Sequence, residues 1–433
     1  MKLIQQAVLL CGGLGTRLRP MTDNIPKPMV PVDGRPFLHY LLDQLAGQEI
    51  KQFVLLTGYL GEQIFDYFDD GSKFGWRISY SNGPADWDTG RRIWEARSLF
   101  NPTFLLLYSD NFVQFKLNKL QALHDVNKTP ISLLLAPKEK GNISVSKSGS
   151  ITGYDKDRNG EGFDFVEVGY MIIERDQVLK EFSSCESFPD FNFSAILKKF
   201  ANQQLINGLI VRDAYHSISD SERWKMMCDY LHPQKILLID RDGTINIKAA
   251  KGEYITTWGD FEFVPETYAA MKLLSAEGFR FIIITNQAGI ARGKMAISDL
   301  ERIHSNMIKQ LASDGIEILK IYYSPHHWEE NSFMRKPQPG MFFEASKEFR
   351  IRLDKTLYIG DDSRDCQAGY NAGCPSIFIG EADELKDLKD EEKPLGVFPD
   401  MFKSIAMIRN FYKVQTEGTS LNPINKDLQS SAN

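Results

Sequence analysis

Short apolar runs alternate with longer amphipathic stretches along the first half of the chain. Such runs are typical of buried strands, and apolar residues at helical spacing are typical of helices. The runs at residues 7–10, 52–57, 77–81, 103–108 and 131–136 predict strands, and residues 36–45 predict a helix. This alternation predicts a mostly parallel α/β sheet.

Three apolar runs in the second half each end in a polar cluster. The run 236–239 leads into Asp240-Arg-Asp-Gly-Thr244, 281–284 into Thr285-Asn-Gln287, and 356–359 into Gly360-Asp-Asp362. The carboxyl ends of neighbouring parallel strands border one crevice of an open α/β sheet. The three clusters are therefore expected to converge on a single site.

The segments between these runs predict helices that cover the sheet. Pro265 suits a first helical position, and Gly278 suits a helix end. Ser298 and Glu301 fit a capping box for a second helix that ends near Gly315.

The chain divides into two predicted domains near residue 232. A helical pattern over residues 222–231 stops at His232-Pro233, and a new strand follows at once. We therefore predict two Rossmann-like α/β domains, at residues 1–231 and 232–415. Residues 416–433 are polar and rich in Ser and Asn, and they are expected to be disordered.

The composition fits this division and narrows the ligands. A chain of 433 residues can bury two cores, since single cores stop growing at about 250–300 residues. The net charge of -6 argues against a broad nucleic-acid-binding face and favours small anions bound with Mg²⁺. No apolar run approaches the roughly 20 residues of a membrane helix, so no membrane partner is expected. Five cysteines without CxxC pairing suit a reducing compartment, and we expect a cytoplasmic protein.

Asp240 and Asp242 stand two residues apart at a predicted strand end. Carboxylates so placed can divide labour: Asp240 would attack phosphorus as a nucleophile, and Asp242 would handle the leaving-group proton. With these two, Asp361 would complete an oxygen site for Mg²⁺.

Three further side chains would act on the phosphoryl group. Lys336 would point its cation at it, and Thr285 and Asn286 would donate hydrogen bonds. Asp365 has two interpretations: it orients Lys336 or the metal shell, or it is a solvated acid at a helix start.

The order Asp-x-Asp-Gly-Thr, a strand ending in Thr, Lys, then Gly-Asp resembles the haloacid-dehalogenase-type phosphatases, over about residues 235–385. Asp240-Arg-Asp-Gly-Thr-Ile-Asn246, Thr285-Asn-Gln-Ala-Gly-Ile290 and Arg335-Lys-Pro-Gln-Pro-Gly-Met341 resemble the heptose-1,7-bisphosphate and histidinol-phosphate phosphatase branch. The resemblance implies a HAD-like parallel sheet with a minimal cap, an aspartyl-phosphate, Mg²⁺ and a substrate-binding Arg335.

Members of this branch often hold zinc in a loop with Cys-Pro-His-His and a later Cys-x-Cys. This chain has Ser324-Pro-His-His327 and Ser332-Phe-Met334 there. Because the thiolates are missing, His326 and His327 make a poor tetrahedral site, and zinc is not expected. The two histidines are instead expected to shape the substrate pocket.

A glycine-rich turn follows the first predicted strand. Leu10-Cys-Gly-Gly-Leu-Gly-Thr-Arg-Leu-Arg-Pro20 can wrap phosphate oxygens with its backbone N–H groups, although it is not a Walker A loop. The predicted phosphate-binding residues are Gly12, Gly13, Gly15, Thr16, Arg17 and Lys27.

The glycine loop, Arg-Leu-x-Pro and Pro26-Lys-Pro-Met-x-Pro-Val32 together resemble the sugar-1-phosphate nucleotidyltransferases, over about residues 3–228. In that family a sugar phosphate attacks the α-phosphorus of a nucleoside triphosphate and expels pyrophosphate. The resemblance implies a nucleotidyltransferase-like mixed sheet, in which Arg17 binds the triphosphate, Lys27 bridges its phosphates and Asp110 holds Mg²⁺.

Two segments depart from this family pattern. Trp87-Asp-Thr-Gly-Arg91 stands where members carry Leu-Gly-Thr-[AG]-Gly, and residues 88–93 resemble the cytidylyltransferase subgroup slightly more than the guanylyl one. The second metal aspartate aligns with Ser217 or, after a shift of three residues, with Asp220. The base, and whether this domain is catalytic, stay open.

The two resemblances imply a bifunctional enzyme of nucleotide-sugar biosynthesis, on a route to lipopolysaccharide or capsule carbohydrate. The second domain would remove the 7-phosphate of D-glycero-D-manno-heptose 1,7-bisphosphate. The first would transfer a nucleotidyl group, with GTP as the preferred donor, to the sugar 1-phosphate. The alternatives are a phosphatase with a non-catalytic, nucleotide-binding regulatory domain, or a cytidylyltransferase acting on a sugar or polyol phosphate. The expected partners are these small molecules, not nucleic acid, and a homo-oligomer is left open.

Overall fold

A computed structural model describes residues 4–146, 149–158, 160–250 and 252–419. This part of the chain divides into two compact units between Cys228 and Asp229. The boundary predicted from the sequence lies three residues later and stays a prediction.

The first unit is built on a large sheet, with nine strands among the described residues. The strands of this unit are β1 (Gln6–Leu10), β2 (Pro31–Val32), β3 (Arg35–Pro36), β4 (Gln52–Thr57), β5 (Arg77–Asn82), β6 (Thr103–Tyr108), β7 (Asn111–Val113), β8 (Ile131–Pro137), β9 (Ile143–Val145), β10 (Ile151–Tyr154), β11 (Phe165–Glu174), β12 (Ile206–Ile210) and β13 (Tyr215–Ser217). The helices are α1 (Phe37–Ala46), α2 (Gly61–Phe68), α3 (Thr89–Glu95), α4 (Leu117–Asn127), α5 (Arg175–Leu179), α6 (Ser194–Asn202) and α7 (Ser221–Leu231), which contains the division.

This sheet contains both parallel and antiparallel pairs, and β8 pairs in parallel with β12. β1 pairs in parallel with β4 and β6, and β4 with β5. β11 runs antiparallel to β6, β8 and β9, so the sheet is mixed and not mostly parallel. The described residues that connect β8 to β11 contain no helix, and neighbouring strands joined without a crossover helix run antiparallel. The predicted α/β class is confirmed.

The predicted elements of this unit occur where the hydrophobic pattern puts them. β4 and β6 have the predicted bounds, and β1, β5 and β8 differ from theirs by one residue at one end. α1 begins and ends one residue later than predicted.

The second unit is built on a parallel sheet. Its described strands are β14 (Ile236–Ile239), β15 (Arg280–Asn286), β16 (Ile318–Ser324), β17 (Leu357–Gly360), β18 (Ser376–Ile379) and β19 (Gly396–Phe398). Its described helices are α8 (Pro265–Ala276), α9 (Ile297–Ser313), α10 (Gly340–Phe349), α11 (Ser363–Ala372) and α12 (Met401–Thr419). The order is β16-β15-β14-β17-β18-β19, with every pairing parallel. The three strands with polar ends are neighbours, as predicted.

Burial on both faces explains why β14 is a continuous apolar run. Successive side chains of a strand point to opposite faces of the sheet. Leu237 and Ile239 pack into a core cluster with residues of α8, α9 and α12. Ile236 and Leu238 pack into a second cluster with residues of α10 and α11. A helix layer therefore covers each face of the sheet at the strand that carries the first signature.

The start of α9 differs from the sequence prediction. Asp299 Oδ2 accepts a hydrogen bond from Ala296 N at 3.0 Å, so Asp299 caps the helix. Ser298 and Glu301, predicted as a capping box, lie inside the helix, and that prediction is wrong. The helix begins at Ile297, before the predicted cap at Ser298. Asp299 is therefore the acid three residues after the N-cap residue Ala296, the position from which a side chain can reach the N-cap N–H.

The helix boundaries at the two ends of this unit are also informative. α8 begins at Pro265, as predicted. α12 continues to Thr419, so residues 416–419 are helical where disorder is predicted, and residues 420–433 lie outside the described residues. No helix in the described part of the chain is long and apolar enough to cross a membrane.

Candidate functional sites

A cleft of about 680 Å³ lies at the carboxyl ends of β14, β15 and β17 in the second unit. Its polar lining includes six residues predicted from the sequence and several that were not. The predicted ones are Asp240, Asp242, Thr285, Asn286, Arg335 and Lys336, and Lys248 is among those that were not predicted.

The ammonium of Lys336 joins the charges of this cleft. Its Nζ is 2.8 Å from Asp240 Oδ1, and it donates to Asp365 Oδ1 at 2.7 Å and to the Tyr358 hydroxyl at 2.8 Å. Burial alone would lower the pKa of Lys336, but Asp240 and Asp365 outweigh burial and raise it. The side chain, only 4% exposed, is therefore a fixed cation.

Three carboxylates meet beside this cation. Oxygens of Asp240, Asp361 and Asp365 lie within 4.8 Å of one another. Burial raises the pKa of Asp240 to about 8, with the charges of Asp365 and Asp361 adding to the effect and Lys336 opposing it. Burial, then the charge of Asp365, also raises the pKa of Asp361. A cation placed between these groups would favour their ionised forms.

The hydrogen bonds of Asp365 separate its two interpretations. It accepts from Lys336 Nζ, from the Tyr358 hydroxyl at 2.9 Å and from Asp362 N at 3.0 Å. These hydrogen bonds favour the interpretation in which Asp365 orients Lys336 over that of a solvated acid. Asp240 and Asp361 are then the carboxylates best placed to hold an ion, and an all-oxygen donor set fits Mg²⁺.

The glycine of Asp-x-Asp-Gly is required by a close approach. Gly243 has φ +96°, and a Cβ built there would lie 2.1 Å from Asp361 Oδ2. A side chain at this position would push Asp361 away from Asp240.

Asp242 lies in the cleft wall, but its carboxylate points to other partners. Arg241 Nη2 donates to both carboxylate oxygens at 2.8 Å, Asn246 Nδ2 donates at 3.1 Å and Gln287 Nε2 at 2.7 Å. Burial alone would raise the pKa of Asp242, but the charge and hydrogen bonds of Arg241 outweigh it and lower this pKa. The structure therefore does not bring the Asp242 carboxylate into the predicted metal group.

Thr285 and Asn286 lie at the end of β15, as predicted. Asn286 Oδ1 accepts from Lys336 N at 3.0 Å, and Asn286 Nδ2 donates to Lys336 O at 3.1 Å. Thr285 Oγ1 accepts from Gln287 Nε2 at 2.9 Å. Asn286 thus fixes the backbone of the lysine, a contact that the motif alone did not reveal.

Lys248 is a cation of the cleft that the sequence motifs do not predict. Its Nζ donates to Asp361 Oδ2 at 2.8 Å and lies 3.7 Å from Asp362 Oδ2. Lys248 lies outside each motif, in a loop without a periodic hydrophobic pattern. Its place in the cleft is therefore apparent only from the folded structure.

The loop with two histidines borders the same cleft. Arg335 Nη1 donates to His326 O at 3.2 Å, and His326 Nδ1 lies 3.0 Å from Glu330 Oε2. The rings of His327 and Trp328 have centroids 3.7 Å apart, and Trp328 lines the cleft. The absence of zinc stays a prediction.

In the first unit, the glycine loop follows β1 between the ends of β4 and β6. Gly13, Thr16 and Arg17 are exposed, so they are accessible to a ligand. Gly15 O accepts from Thr22 Oγ1 at 2.9 Å, which closes the loop on itself.

A buried arginine supports this loop from below. Arg92, 5% exposed, donates from Nη1 to Thr57 O at 2.8 Å and from Nη2 to Gly12 O at 3.2 Å and Pro84 O at 2.6 Å. Burial lowers its pKa. A Cβ on Gly12 would lie 2.3 Å from the guanidinium, so only glycine permits this approach. In the sequence, the segment around Arg92 stands out only as a departure from the family pattern.

Lys27 and Asp110 are brought together beside the loop, with Nζ 2.7 Å from Oδ2. The pairing of β7 with β13 places Ser217 opposite Asn111. Ile218 N also donates to Asp110 O at 2.9 Å, so Ser217 is close to Asp110 along the paired strands.

Asp220, the other candidate for the second metal position, lies at the start of α7. Its Oδ1 accepts from Arg223 N at 2.9 Å, and Arg223 Nη1 donates to Ser217 Oγ at 3.3 Å. The pKa of Asp220 is lowered by that backbone hydrogen bond and further by the charges of Arg223 and Arg17. The geometry therefore favours Ser217 as the residue beside Asp110.

Comparisons with known proteins assign each unit to a class. The nucleotidyl transferase family matches residues 6–146, and the polynucleotide kinase 3 phosphatase family matches residues 235–386. The chain is 37% identical over 179 residues to the D-glycero-alpha-D-manno-heptose-1,7-bisphosphate 7-phosphatase of Campylobacter jejuni, covering 41% of this chain and 96% of the relative. It is 37% identical over 143 residues to the D-glycero-beta-D-manno-heptose-1,7-bisphosphate 7-phosphatase of Helicobacter pylori, covering 33% of this chain and 81% of the relative. The crystal structure of HddC from Yersinia pseudotuberculosis aligns at 18% identity and a TM-score of 0.45, covering 53% of this chain and 100% of that chain.

The fold and the site thus define a haloacid-dehalogenase-type phosphatase, joined to a nucleotidyltransferase domain. The chain belongs to the D-glycero-D-manno-heptose-1,7-bisphosphate 7-phosphatase family. It is an enzyme, as predicted.

The ion pairs of Lys336 predict the effect of removing Asp365. Asp365→Asn is expected to lower kcat for phosphate release about 10- to 100-fold, the usual effect of losing a supporting partner. The lysine would lose the charge that draws it away from Asp240. The fall in kcat is measured as the rate of inorganic phosphate release from a sugar bisphosphate. Tyr358→Phe, which removes another Nζ partner but leaves both carboxylates, is expected to lose less, and an equal loss would contradict the electrostatic role.

The contacts of Arg92 predict a stability change in the first unit. Arg92→Met leaves three carbonyl oxygens without this donor, at about 1–3 kcal/mol for each buried acceptor left unpaired. Thermal unfolding of the full chain should begin at a lower temperature, and nucleoside triphosphate binding should weaken. Arg92→Lys should recover only part of the lost stability and nucleotide binding, because an ammonium cannot reproduce the planar arrangement of the guanidinium donors. The exposed Arg97→Met serves as control, and wild-type behaviour of Arg92→Met would refute the supporting role.

Proposed function

We propose that the second unit removes the 7-phosphate of D-glycero-D-manno-heptose 1,7-bisphosphate. The observation that carries this proposal is the buried Lys336 ammonium between Asp240 and Asp365, with Asp361 alongside. The two relatives described above carry names for opposite anomers of this substrate, so the proposal includes both.

In this mechanism, a carboxylate oxygen of Asp240 attacks phosphorus. The bond from phosphorus to the sugar oxygen breaks, its electron pair stays on that oxygen, and the oxygen takes a proton from Asp242. Because Arg241 lowers the pKa of Asp242, the negative charge of the bound phosphate would have to raise this pKa for Asp242 to hold the proton. Water then attacks the aspartyl phosphate and gives a proton to Asp242. Inorganic phosphate leaves, and Asp240 is restored. Lys336 stabilises the phosphoryl charge throughout.

Mg²⁺ is the ion that this unit is proposed to use. Asp240 and Asp361 would hold it, and when bound it would screen the repulsion between carboxylates and phosphate. Lys248, which pairs with Asp361, would keep part of that negative charge balanced on the exposed side.

The product of this step has the chemistry that the first unit requires. A sugar 1-phosphate oxygen would attack the α-phosphorus of a nucleoside triphosphate, with GTP as the preferred donor, and the bond to the pyrophosphate oxygen would break. Arg17 and Lys27 would bind the phosphates, the glycine loop would wrap them and Asp110 would hold Mg²⁺. The two reactions would then follow each other on one metabolite.

A second candidate is a non-catalytic, nucleotide-binding role for the first unit. It is favoured by Ser217 beside Asp110, where the family carries an aspartate, and by the Arg223 contact to that serine. The third candidate, a cytidylyltransferase acting on a sugar or polyol phosphate, rests on residues 88–93. The cytoplasmic location and the state of assembly stay predictions.

Asp240→Asn tests the phosphatase proposal. It is expected to abolish Mg²⁺-dependent phosphate release from both heptose bisphosphate anomers, because an amide oxygen is a poor nucleophile. Circular dichroism should show an unchanged fold. Asp390→Asn, an exposed acid paired with Lys393, is the control and should keep wild-type turnover. Wild-type turnover by Asp240→Asn would overturn the nucleophile assignment.

A nucleotide panel tests the transferase proposal. Each nucleoside triphosphate is titrated calorimetrically and then assayed for pyrophosphate release with heptose 1-phosphate. Lys27→Met is expected to weaken triphosphate binding and abolish release, whereas Lys51→Met, an exposed lysine near Glu49, should change neither. Binding without pyrophosphate release across the panel would support the regulatory alternative instead.

A further inference from the structure

Arg223 lies against the position beside Asp110 where the sequence pattern expects a second metal-binding aspartate. Ser217 occupies that position and is 6% exposed. Arg223, in the first turn of α7, donates from Nη1 to Ser217 Oγ and to Ser219 Oγ, each at 3.3 Å. Neither reaction described above assigns a role to Arg223.

The oxygens at this position do not fit a divalent ion. A serine hydroxyl carries no charge, and Ser217 Oγ already has Ser219 Oγ at 3.0 Å and the Arg223 donor as partners. Asp220, the alternative ligand, uses both of its oxygens: Oδ1 accepts from Arg223 N at 2.9 Å, and Oδ2 accepts from Ser219 Oγ at 3.3 Å. Since Mg²⁺ prefers carboxylates and a guanidinium repels it, this position is occupied by a cation of the chain itself.

The start of α7 is fixed against the segment that carries Lys27. Trp224 Nε1 donates to Pro31 O at 2.9 Å, and Pro31 belongs to the same short segment as Lys27. Lys27 in turn pairs with Asp110, with Nζ 2.7 Å from Oδ2. Because Trp224 directly follows Arg223, the guanidinium is tied to the same group of elements as the Lys27 ammonium.

A ligand can reach the outer end of this guanidinium. The Arg223 side chain is 47% exposed, and no described residue accepts a hydrogen bond from its Nη2. The backbone hydrogen bond from Arg223 lowers the pKa of Asp220, and the charges of Arg223 and of Arg17 lower it further, so Arg17 is also near. Arg223 therefore adds a third cation to Arg17 and Lys27.

We propose that Arg223 is a triphosphate-binding residue of the first unit, and that its guanidinium supplies beside Asp110 the positive charge that an ion held by a second carboxylate would supply. A guanidinium is always charged and binds phosphate oxygens with parallel hydrogen bonds. The nucleotide would then depend less on a divalent ion than it would at a pair of aspartates. This inference rests on the proposed nucleotide-binding role of the first unit, which the transferase and the regulatory alternative share.

A binding role and a structural role of Arg223 respond differently to Mg²⁺. The ion and the guanidinium would neutralise the same phosphates, so removal of the arginine should weaken binding most when no ion is present. Loss of a structural support would weaken nucleotide binding by the same factor with and without Mg²⁺.

The test titrates GTP calorimetrically into the full chain, once with Mg²⁺ and once with EDTA. For the wild-type chain, removal of Mg²⁺ should raise Kd less than about 10-fold, the lower end of what one charged hydrogen bond contributes. Arg223→Met should raise Kd about 10- to 100-fold in EDTA and less in Mg²⁺. Arg223→Lys, which keeps the charge but not the planar fork, should fall between. Should Arg223→Met not fold, Arg223→Gln takes its place.

A matched control lies on the same helix. Lys225 is exposed, and a residue two positions along a helix faces a different side. Lys225→Met removes the same charge from α7 and should change neither Kd.

The reverse experiment rebuilds the pair of carboxylates. Ser217→Asp combined with Arg223→Met should bind Mn²⁺ at least about 10-fold more tightly than the wild-type chain, because an added carboxylate strengthens an oxygen site. Electron paramagnetic resonance of Mn²⁺ measures this without turnover. GTP binding by this double variant should recover in Mg²⁺ and stay weak in EDTA.

The outcomes separate the inference from the proposed function. The inference is overturned by wild-type binding that depends strongly on Mg²⁺, by an Arg223→Met loss that is absent or equal in the two buffers, by an equal loss in Lys225→Met, or by a double variant that gains no Mn²⁺ binding. If the wild-type chain binds no nucleoside triphosphate in either buffer, the proposed role of the first unit fails instead.

Discussion

The phosphatase site depends on one ammonium buried among carboxylates. Asp240, Asp361 and Asp365 lie close together and largely out of water, an arrangement that would be strongly unfavourable without compensating charge. Lys336 supplies that charge and bonds to two of the three. Because these acids come from the ends of β14 and β17 and from the start of α11, a single cation joins elements that are remote in sequence.

Both units follow the same rule of holding a cation at fixed acceptors before any ligand binds. Lys336 is held by carboxylates and by the Tyr358 hydroxyl, and Arg92 by backbone carbonyls. A chain with a net charge of -6 can therefore present local positive potential at both candidate sites. Preorganised charges need no rearrangement when an anion arrives, which is an efficient form of electrostatic stabilisation.

The sequence predicts those features that are local. Continuous apolar runs reveal β14 and its neighbours because both faces of these strands are buried, and Asp240 and Asp361 stand directly after such runs. The direction of β11 was not predictable from its own residues, since it depends on which strands pair with it. The contacts of Arg92 with Gly12 and of His304 with Arg241 join residues 80 and 63 positions apart. Contacts between residues so far apart in the chain produce no sequence pattern from which they could be predicted. Lys248 was missed for the same reason.

The hydrogen bonds of Arg92 have a consequence for variation in the first unit. The Arg92 guanidinium donates hydrogen bonds to the backbone carbonyl oxygens of Thr57 and Pro84. A carbonyl oxygen is present whatever side chain the residue carries. The Arg92 contact therefore constrains the backbone path at these two positions and not their side chains, whereas at Gly12 it also excludes a Cβ. As far as Arg92 is concerned, a substitution beside the glycine loop is tolerated when it preserves the main chain, while the loop itself must keep its glycine.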